Sequence, residues 1–329
     1  MRLIGLVLAL GLTLVPLAAE AQPTAKLPRI GVLSFGHPPT GTTRLDPNGG
    51  LREGLRNLGY MEGRNVVIEW RYAQTQTDRL ARLAAELVRL KVDVIFAGGP
   101  VVLEAALKAT SSIPIVVVCC ADPVREGWAQ SFARPGVHIT GLTATYPEIG
   151  GKRLALLKEA VPGLSRVAVL VEPAEIPNWG DVLQVLETSA RALGVQLKVL
   201  LVRGPDDFER AFNDARQGRV QGVQTFDTAK LLFNQTRLSE LAASNRLASV
   251  GEFRSLAEAG FLMTYGADLN DLTRRAATHI DKILRGALAG DLPIERPTKF
   301  ELVINRKTAK ALGLTIPQSI LVRADQVID

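Results

Sequence analysis

The sequence predicts an α/β protein of two doubly wound parallel-sheet lobes with a hinge and an interlobe cleft. Three observations carry that expectation. Apolar β-branched runs alternate with amphipathic stretches of helical period, the signature of strands joined by crossover helices. A passage rich in Pro, Gly and Thr, "DPVREGWAQSFARPGVHITGLTATY" from Asp122 to Tyr146, interrupts the alternation, which then starts again. With 329 residues, the chain also exceeds what a single core usually serves.

The N-terminus comes first. Arg2 precedes an apolar run from Leu3 to Val15, and Ala19-Glu20-Ala21 forms an A-x-A site. That pattern predicts a signal peptide over 1–21, cleaved after Ala21, and a mature chain that is soluble in the periplasm. The run is shorter than the ~18 to 20 residues a spanning helix needs, and no later segment reaches that length.

In the first unit, "RIGVLSFG" (29–36) reads as a strand. "GGLREGLRNLGY" (49–60) is a helix with Leu51, Leu55 and Leu58 on one face. "NVVIEWRYA" is a second strand, followed by the helix "DRLARLAAELVRL", with Asp78 as N-cap and Leu80, Leu83, Leu87 and Leu90 along one side. The strand "VDVIFAGG", the helix "VVLEAALKAT" and the strand "IPIVVVCC" complete the unit. After the interruption come four helix-to-strand steps: "IGGKRLALLKEAVP" to "RVAVLVEP", "VLQVLETSARALG" to "VQLKVLLVR", "DDFERAFNDARQG" to "VQGVQTFDT", and "LLFNQTRLSELAASNRL" to "ASVGEF". The architecture repeats, but no sequence repeat accompanies it.

Composition excludes several functions. The net charge of +6 is spread along the chain and aromatic residues are only 5%, so neither a nucleic-acid groove nor base-stacking platforms are indicated. Cys119 and Cys120 are adjacent. Their Cα atoms therefore lie ~3.8 Å apart, below the range for a disulfide, and on a strand the two side chains point to opposite faces. The three histidines stand in unrelated contexts, so no metal site is expected. No G-x-G-x-x-G, G-x-x-x-x-G-K or G-x-S-x-G motif occurs, which leaves neither a nucleotide cofactor nor a catalytic set supported.

In open parallel sheets a ligand sits outside the carboxyl ends of the strands. Those ends are Ser34-Phe35-Gly36, Gly98-Gly99-Pro100, Asp122-Pro123, Glu172-Pro173, Asp227-Thr228 and Glu252-Phe253. Asp122 is expected to face the cleft near the hinge, the alternative being a cap on the turn that Pro123 begins. Gly98 and Gly99 allow a close backbone approach to a ligand carboxylate.

Several stretches together carry a family resemblance: "IGVLSFG", "LGYMEGRNVVIEWRYA", "DRLARLAAELVRLKVDVIFAGG", "DPVREGWAQSFARPG", "ITGLT", "RVAVLVEP" and the C-terminal "ERPTKFELVINRKTAKALGLTIPQSILVRADQVI". The mature chain resembles the periplasmic substrate-binding proteins of ABC importers, the group related to tryptophan- and tyrosine-binding components. Where the family pattern reads ARPGGN, this chain has Ala133 to His138 as ARPGVH. The resemblance implies a type I periplasmic-binding fold whose chain crosses between lobes three times. Lobe 1 is expected over 29–121 and about 262–288, and lobe 2 with the hinge over about 141–260 and 290–329. It further implies a monomer that binds a small molecule in the cleft, closes on it and hands it to the transmembrane permease subunits. For an amino-acid-like ligand, Asp122, Asp227 or Glu252 would meet the ammonium, and backbone N–H groups near Ser34 and Gly99 the carboxylate. Thr143 and Tyr265 are the remaining candidate contacts. A sensory binding protein shares these features, and an exported α/β enzyme would need a nucleophile, base or metal that no motif supplies.

Overall fold

The computed structural model describes residues 26–39, 46, 48–119, 121–136, 138–144, 148–176 and 178–329. The leader 1–21 and Cys120 lie outside the described residues.

The first unit contains β1 (Arg29–Ser34), α1 (Gly49–Asn57), β2 (Val67–Tyr72), α2 (Arg79–Arg89), β3 (Val94–Gly98), α3 (Pro100–Ala109), β4 (Ile115–Cys119) and β5 (Ile139–Thr143). The second contains α4 (Ile149–Ala160), β6 (Arg166–Val171), α5 (Trp179–Ala192), β7 (Gln196–Leu201), α6 (Phe208–Gln217), β8 (Gly222–Thr225), α7 (Ala229–Phe233), α8 (Gln235–Ser244), β9 (Ala248–Gly251), α9 (Arg254–Ala259) and β10 (Met263–Ala267). Then come α10 (Leu269–Leu284), β11 (Ile294–Glu295), β12 (Phe300–Asn305), α11 (Arg306–Ala311), α12 (Gln318–Leu321) and β13 (Gln326–Ile328).

One sheet has the order β11-β5-β4-β3-β1-β2 and the other β13-β12-β10-β9-β8-β6-β7. Both are wound outward from β1 or β6 in the same sense, with all parallel pairs except the antiparallel β10–β12. Each sheet is covered on both faces, as its near-continuous apolar strands require. The first packs between a cluster holding Leu51, Leu55, Leu272 and Ile280 and one holding Leu80, Leu83, Leu87 and Leu103. The second packs between a cluster with Leu154, Leu157 and Leu186 and one with Phe208, Phe212 and Phe261.

The chain passes between the two sheets' units three times, between β5 and α4, at Asp268 and between β11 and β12, as the type I arrangement demands. The second and third crossings are tied together by the Lys299–Asp268 ion pair at 3.6 Å, and the Asp268 carboxylate also caps α10 by accepting from Asp271 N at 3.0 Å.

The expected lobe boundaries are corrected at two strands. Ile139–Thr143, expected partly within lobe 2, pairs with β4 and belongs to the first sheet. Met263–Ala267, expected to return to lobe 1, pairs with β9 and β12 in the second sheet, and only α10 returns. There α10 docks on α1, where Gly50 and Gly54 leave no room for a Cβ against the backbone of Asn270 and Arg274. Two smaller expectations also change. Leu58 is exposed at the end of α1, and Asp78 makes no side-chain hydrogen bond to α2.

Candidate functional site

A cavity of about 160 Å³ lies between the lobes, at the carboxyl ends of the strands in both sheets. The strand order reverses between β1 and β3 and between β6 and β8, and at such switch points crossovers leave in opposite directions and open a crevice. Ser34 and Phe35 after β1, and Gly98, Gly99 and Pro100 after β3, line one wall. Glu175 and Ile176 after β6, Phe226 to Ala229 after β8, and Glu252 and Phe253 after β9 line the other. Gly99 has φ 103°, a left-handed-region value that suits glycine, and precedes Pro100 at the first position of α3.

The strongest charge at the site is Arg153 of α4, which is 3% exposed. Its Nη1 lies 3.2 Å from Glu252 Oε2, but the pair is not aligned as a hydrogen bond, and Nε and Nη1 have no hydrogen-bond partner among the described residues. The guanidinium sits 5.4 Å from the Phe226 ring, which itself meets Trp179 edge-on at 5.3 Å. A buried guanidinium with open donors is poorly compensated by the protein alone.

Asp227 is 8% exposed, and both of its oxygens are engaged. Thr225 Oγ1 donates to Oδ1 at 2.6 Å, and the backbone N–H groups of Glu252 and Phe253 donate to Oδ2 at 2.6 and 3.2 Å. Burial, with Glu252 nearby, pushes its carboxyl up to about 6. Asp227 therefore stitches the end of β8 to the end of β9. Glu175 is also 8% exposed. Its Oε2 accepts from Ala229 N at 3.1 Å, Oε1 has no hydrogen-bond partner among the described residues, and burial raises the carboxyl to about 7.

The lobes touch across the cleft. Phe233 of α7 reaches from lobe 2 to Phe35 of lobe 1, with ring centroids 6.1 Å apart, and its ring occupies the place a Cβ at Gly36 would take. Arg125 of the turn after β4 pairs with Asp181 of α5, and Asn178 Nδ2 donates to Glu126 Oε1 at 2.5 Å.

Of the residues expected to contact ligand, Ser34, Phe35, Gly98, Gly99, Pro100, Asp227 and Glu252 come together around the cavity. Four do not line it. Asp122 caps its own turn, Oδ1 accepting from Val124 N and Arg125 N at 3.0 and 3.1 Å, because Pro123 starts a tight turn there. Thr143 Oγ1 donates to Ala121 O at 2.8 Å within the lobe 1 core. Tyr265 points away, its hydroxyl taking Lys152 Nζ at 2.6 Å and its ring stacked on Phe300. Gly36 does not line it; the Phe233 ring of the other lobe fills the space beside it. Cys119 is buried at the end of β4, where burial pushes its thiol up to about 12, and it lines the floor of the cavity.

Sequence reasoning missed Arg153 and Glu175. For Arg153 a signal existed: it falls on the face of α4 shared by Gly150, Leu154 and Leu157, where an apolar residue is the norm. Glu175 lies in a one-turn 3-10 segment, Pro173–Glu175, that no periodicity announces.

Residues 35–328 match the protein family described as ABC transporter substrate binding protein. The chain is similar to a tyrosine-binding protein of Clostridioides difficile (strain R20291), 25% identical over 265 residues, 80% of this chain and 76% of the relative. Among solved structures it is similar to a conserved domain protein from Vibrio cholerae O1 biovar El Tor, with TM-score 0.83, 25% identity, 92% of this chain and 100% of that one. It is also similar in fold to an ABC domain from Streptococcus pneumonia in complex with L-Trp, with TM-score 0.82, 23% identity and the same coverage.

Proposed function

From the premise that the chain belongs to the ABC transporter substrate binding protein family, we propose that its cleft takes up a small carboxylate, an amino acid or aromatic metabolite, with Arg153 as the carboxylate's partner. As a member of that family, the protein binds a small-molecule ligand and works extracytoplasmically with an ABC permease. The observation that carries the carboxylate reading is the buried Arg153 guanidinium, which lines the cavity and whose Nε and Nη1 make no hydrogen bond among the described residues. A planar fork of donors is matched by a carboxylate better than by any neutral group. The relative that binds tyrosine and the Trp-bound neighbour both handle molecules with a carboxylate and an arene, which agrees with Phe35, Phe96, Phe226 and Phe233 around the cavity.

Function then follows from closure. A ligand held on one wall meets the second wall only in the closed form, so binding shifts the population toward closed, and the closed surface is what a permease can distinguish. The same proposal treats the protein as a monomer that performs no chemistry on its ligand, contacts no nucleic acid, and is exported with its leader removed after Ala21.

A thermal-shift screen of the protein against amino acids and aromatic acids tests the reading. A ligand at one hundred times its Kd adds ~2.7 kcal/mol to stability. Carboxylates should produce the shifts, and the matching amides or esters should not. Shifts from uncharged sugars or amines alone would overturn the carboxylate assignment.

A further inference from the structure

We propose that the cavity reads its ligand at two ends: Arg153 takes the carboxylate, and Glu175 takes a neutral O–H or N–H donor at the opposite end of the same compact, apolar molecule. The inference rests on the carboxylate reading above and adds the ligand's other end to it.

Two side chains that are each more than nine-tenths buried line one cavity with unmet hydrogen-bonding capacity of opposite kind. Among the described residues Arg153 Nε and Nη1 and Glu175 Oε1 make no hydrogen bond, although Nη1 lies 3.2 Å from Glu252 Oε2 and Oε1 lies 3.7 Å from Lys230 Nζ. Buried polar atoms without partners are rare because each carries its full desolvation cost, so a matched pair in one cavity describes the ligand that completes it.

The two groups are held by partners on different strand ends. Arg153 pairs with Glu252, just past the end of β9. Glu175 follows β6 and bonds to Ala229, which begins α7 after β8. In the order β6-β8-β9, Glu175 is thus held on the β6–β8 side of the cavity and the Arg153 ion pair on the β9 side. That arrangement suits polar groups on opposite sides of a ring. Ile176, Val182 and Phe226 also line the cavity. Its volume of about 160 Å³ matches the ~150 Å³ class that accepts benzene.

The donor is neutral because Lys230 already serves this corner. Lys230 Nζ pairs with Glu172 and stands 3.7 Å from Glu175 Oε1. A ligand ammonium at that oxygen would meet the lysine's like charge, whereas a hydroxyl would not. The upward shift of the Glu175 carboxyl to about 7, caused first by burial, agrees with a site built for a hydrogen bond more than for a full counter-ion.

Calorimetric titration with matched probes tests this: 4-hydroxybenzoate against benzoate, 3-(4-hydroxyphenyl)propanoate against 3-phenylpropanoate, and 4-(aminomethyl)benzoate as the cationic control. The hydroxylated member of at least one pair should bind roughly tenfold tighter than its parent, and the cationic probe more weakly than both. Glu175→Leu should bring that ratio to near one. Glu175→Gln, which keeps an acceptor oxygen, should preserve it, and Arg153→Gln should weaken both members while leaving the ratio in place. Equal affinities in the unaltered protein, tighter binding of the cationic probe, or a ratio that survives Glu175→Leu would each overturn the inference. If acids bind through Arg153 without hydroxyl preference, this inference alone falls; if no acid binds, the carboxylate reading falls with it.

Discussion

The two lobes share one strand order, 2-1-3-4-5, yet their walls of the cleft differ in kind. Among the described residues that line the cavity, lobe 1 contributes no charged side chain: its wall is Phe35, Phe96, Val118, Cys119 and Leu269, with Ser34, Asn48, Thr273 and the turn at Gly98–Pro100. Lobe 2 contributes Arg153, Glu175, Asp227 and Glu252. The difference teaches a division of labour. Under the proposed carboxylate reading, lobe 2 would select by charge and hydrogen bonding, and lobe 1 would serve as an apolar cover that removes water and so strengthens the electrostatic contacts beneath it.

The largest way to break this comparison is to remove the selecting charge. Arg153→Gln should lower affinity for a carboxylate ligand by about a hundredfold or more, since loss of a buried charged partner costs ~2 to 5 kcal/mol. Calorimetry checks it, and substitution of Ser34 by Ala on the neutral wall should cost far less. An equal loss at both positions would erase the asymmetry.

Closure can be broken without touching the selecting wall. Gly36→Ala places a methyl where the Phe233 ring lies. The ligand-free melting temperature should stay near that of the unaltered protein, while affinity falls roughly tenfold and the ligand-induced drop in radius of gyration disappears. Adding Phe233→Ala should restore closing, because the ring is the obstacle. Small-angle scattering with and without ligand measures this.

Asp227 sharpens the comparison from the structural side. Asp227→Ala leaves the Thr225 hydroxyl and two backbone N–H groups without their acceptor, so stability should drop by about 2 kcal/mol or more in denaturant titration before any effect on ligand is considered. A variant of unchanged stability with weakened binding would return Asp227 to the role of direct ligand partner.

The lobe 2 wall also predicts a pH response. Burial raises Glu175 from 4.5 to about 7 and Asp227 from 3.8 to about 6, so the folded state holds these protons more tightly than the unfolded chain. Their contribution is therefore greatest at low pH, is lost as pH rises from about 4.5 to about 7, and is constant above that. The difference in melting temperature between the unaltered protein and Glu175→Gln, followed from pH 4.5 to 7, should change monotonically across that window. A flat difference would place Glu175 in water.

The smallest effect belongs to Asp122. As a turn cap, Asp122→Ala should cost about 1 kcal/mol of stability and leave ligand affinity unchanged by calorimetry.

How much of this was legible in the sequence differs between backbone and side chain. The strand ends of the first unit were legible because apolar β-branched runs such as Ile113 to Cys119 stop abruptly at small, acidic or turn-forming residues, and so Ser34, Phe35 and Gly98 to Pro100 were found. "ITGLT" was not legible as a strand, being embedded in an irregular passage where five residues show no period. Nor could "LMTYGADLNDL" reveal that the chain changes lobe at Asp268, since strand and helix alternate there as they do inside a lobe.

The sequence by itself determined the α/β class, the two parallel-sheet units and the region of the cleft, because hydrophobic period and strand-end position are local properties of the chain, and its particular stretches carried the family resemblance. Only the tertiary structure decided which polar residue does what. Asp122 and Asp227 look alike as acids after buried strands, yet one caps its own turn and the other joins two strands. Arg153 and Glu175 look like ordinary charges of a helix and a short turn, yet both are buried at one cavity. The physical reason is that a polar group's role depends on which donors and acceptors meet it once water is gone, and those partners come from segments distant in sequence: Arg153 meets Glu252, and Glu175 meets Ala229.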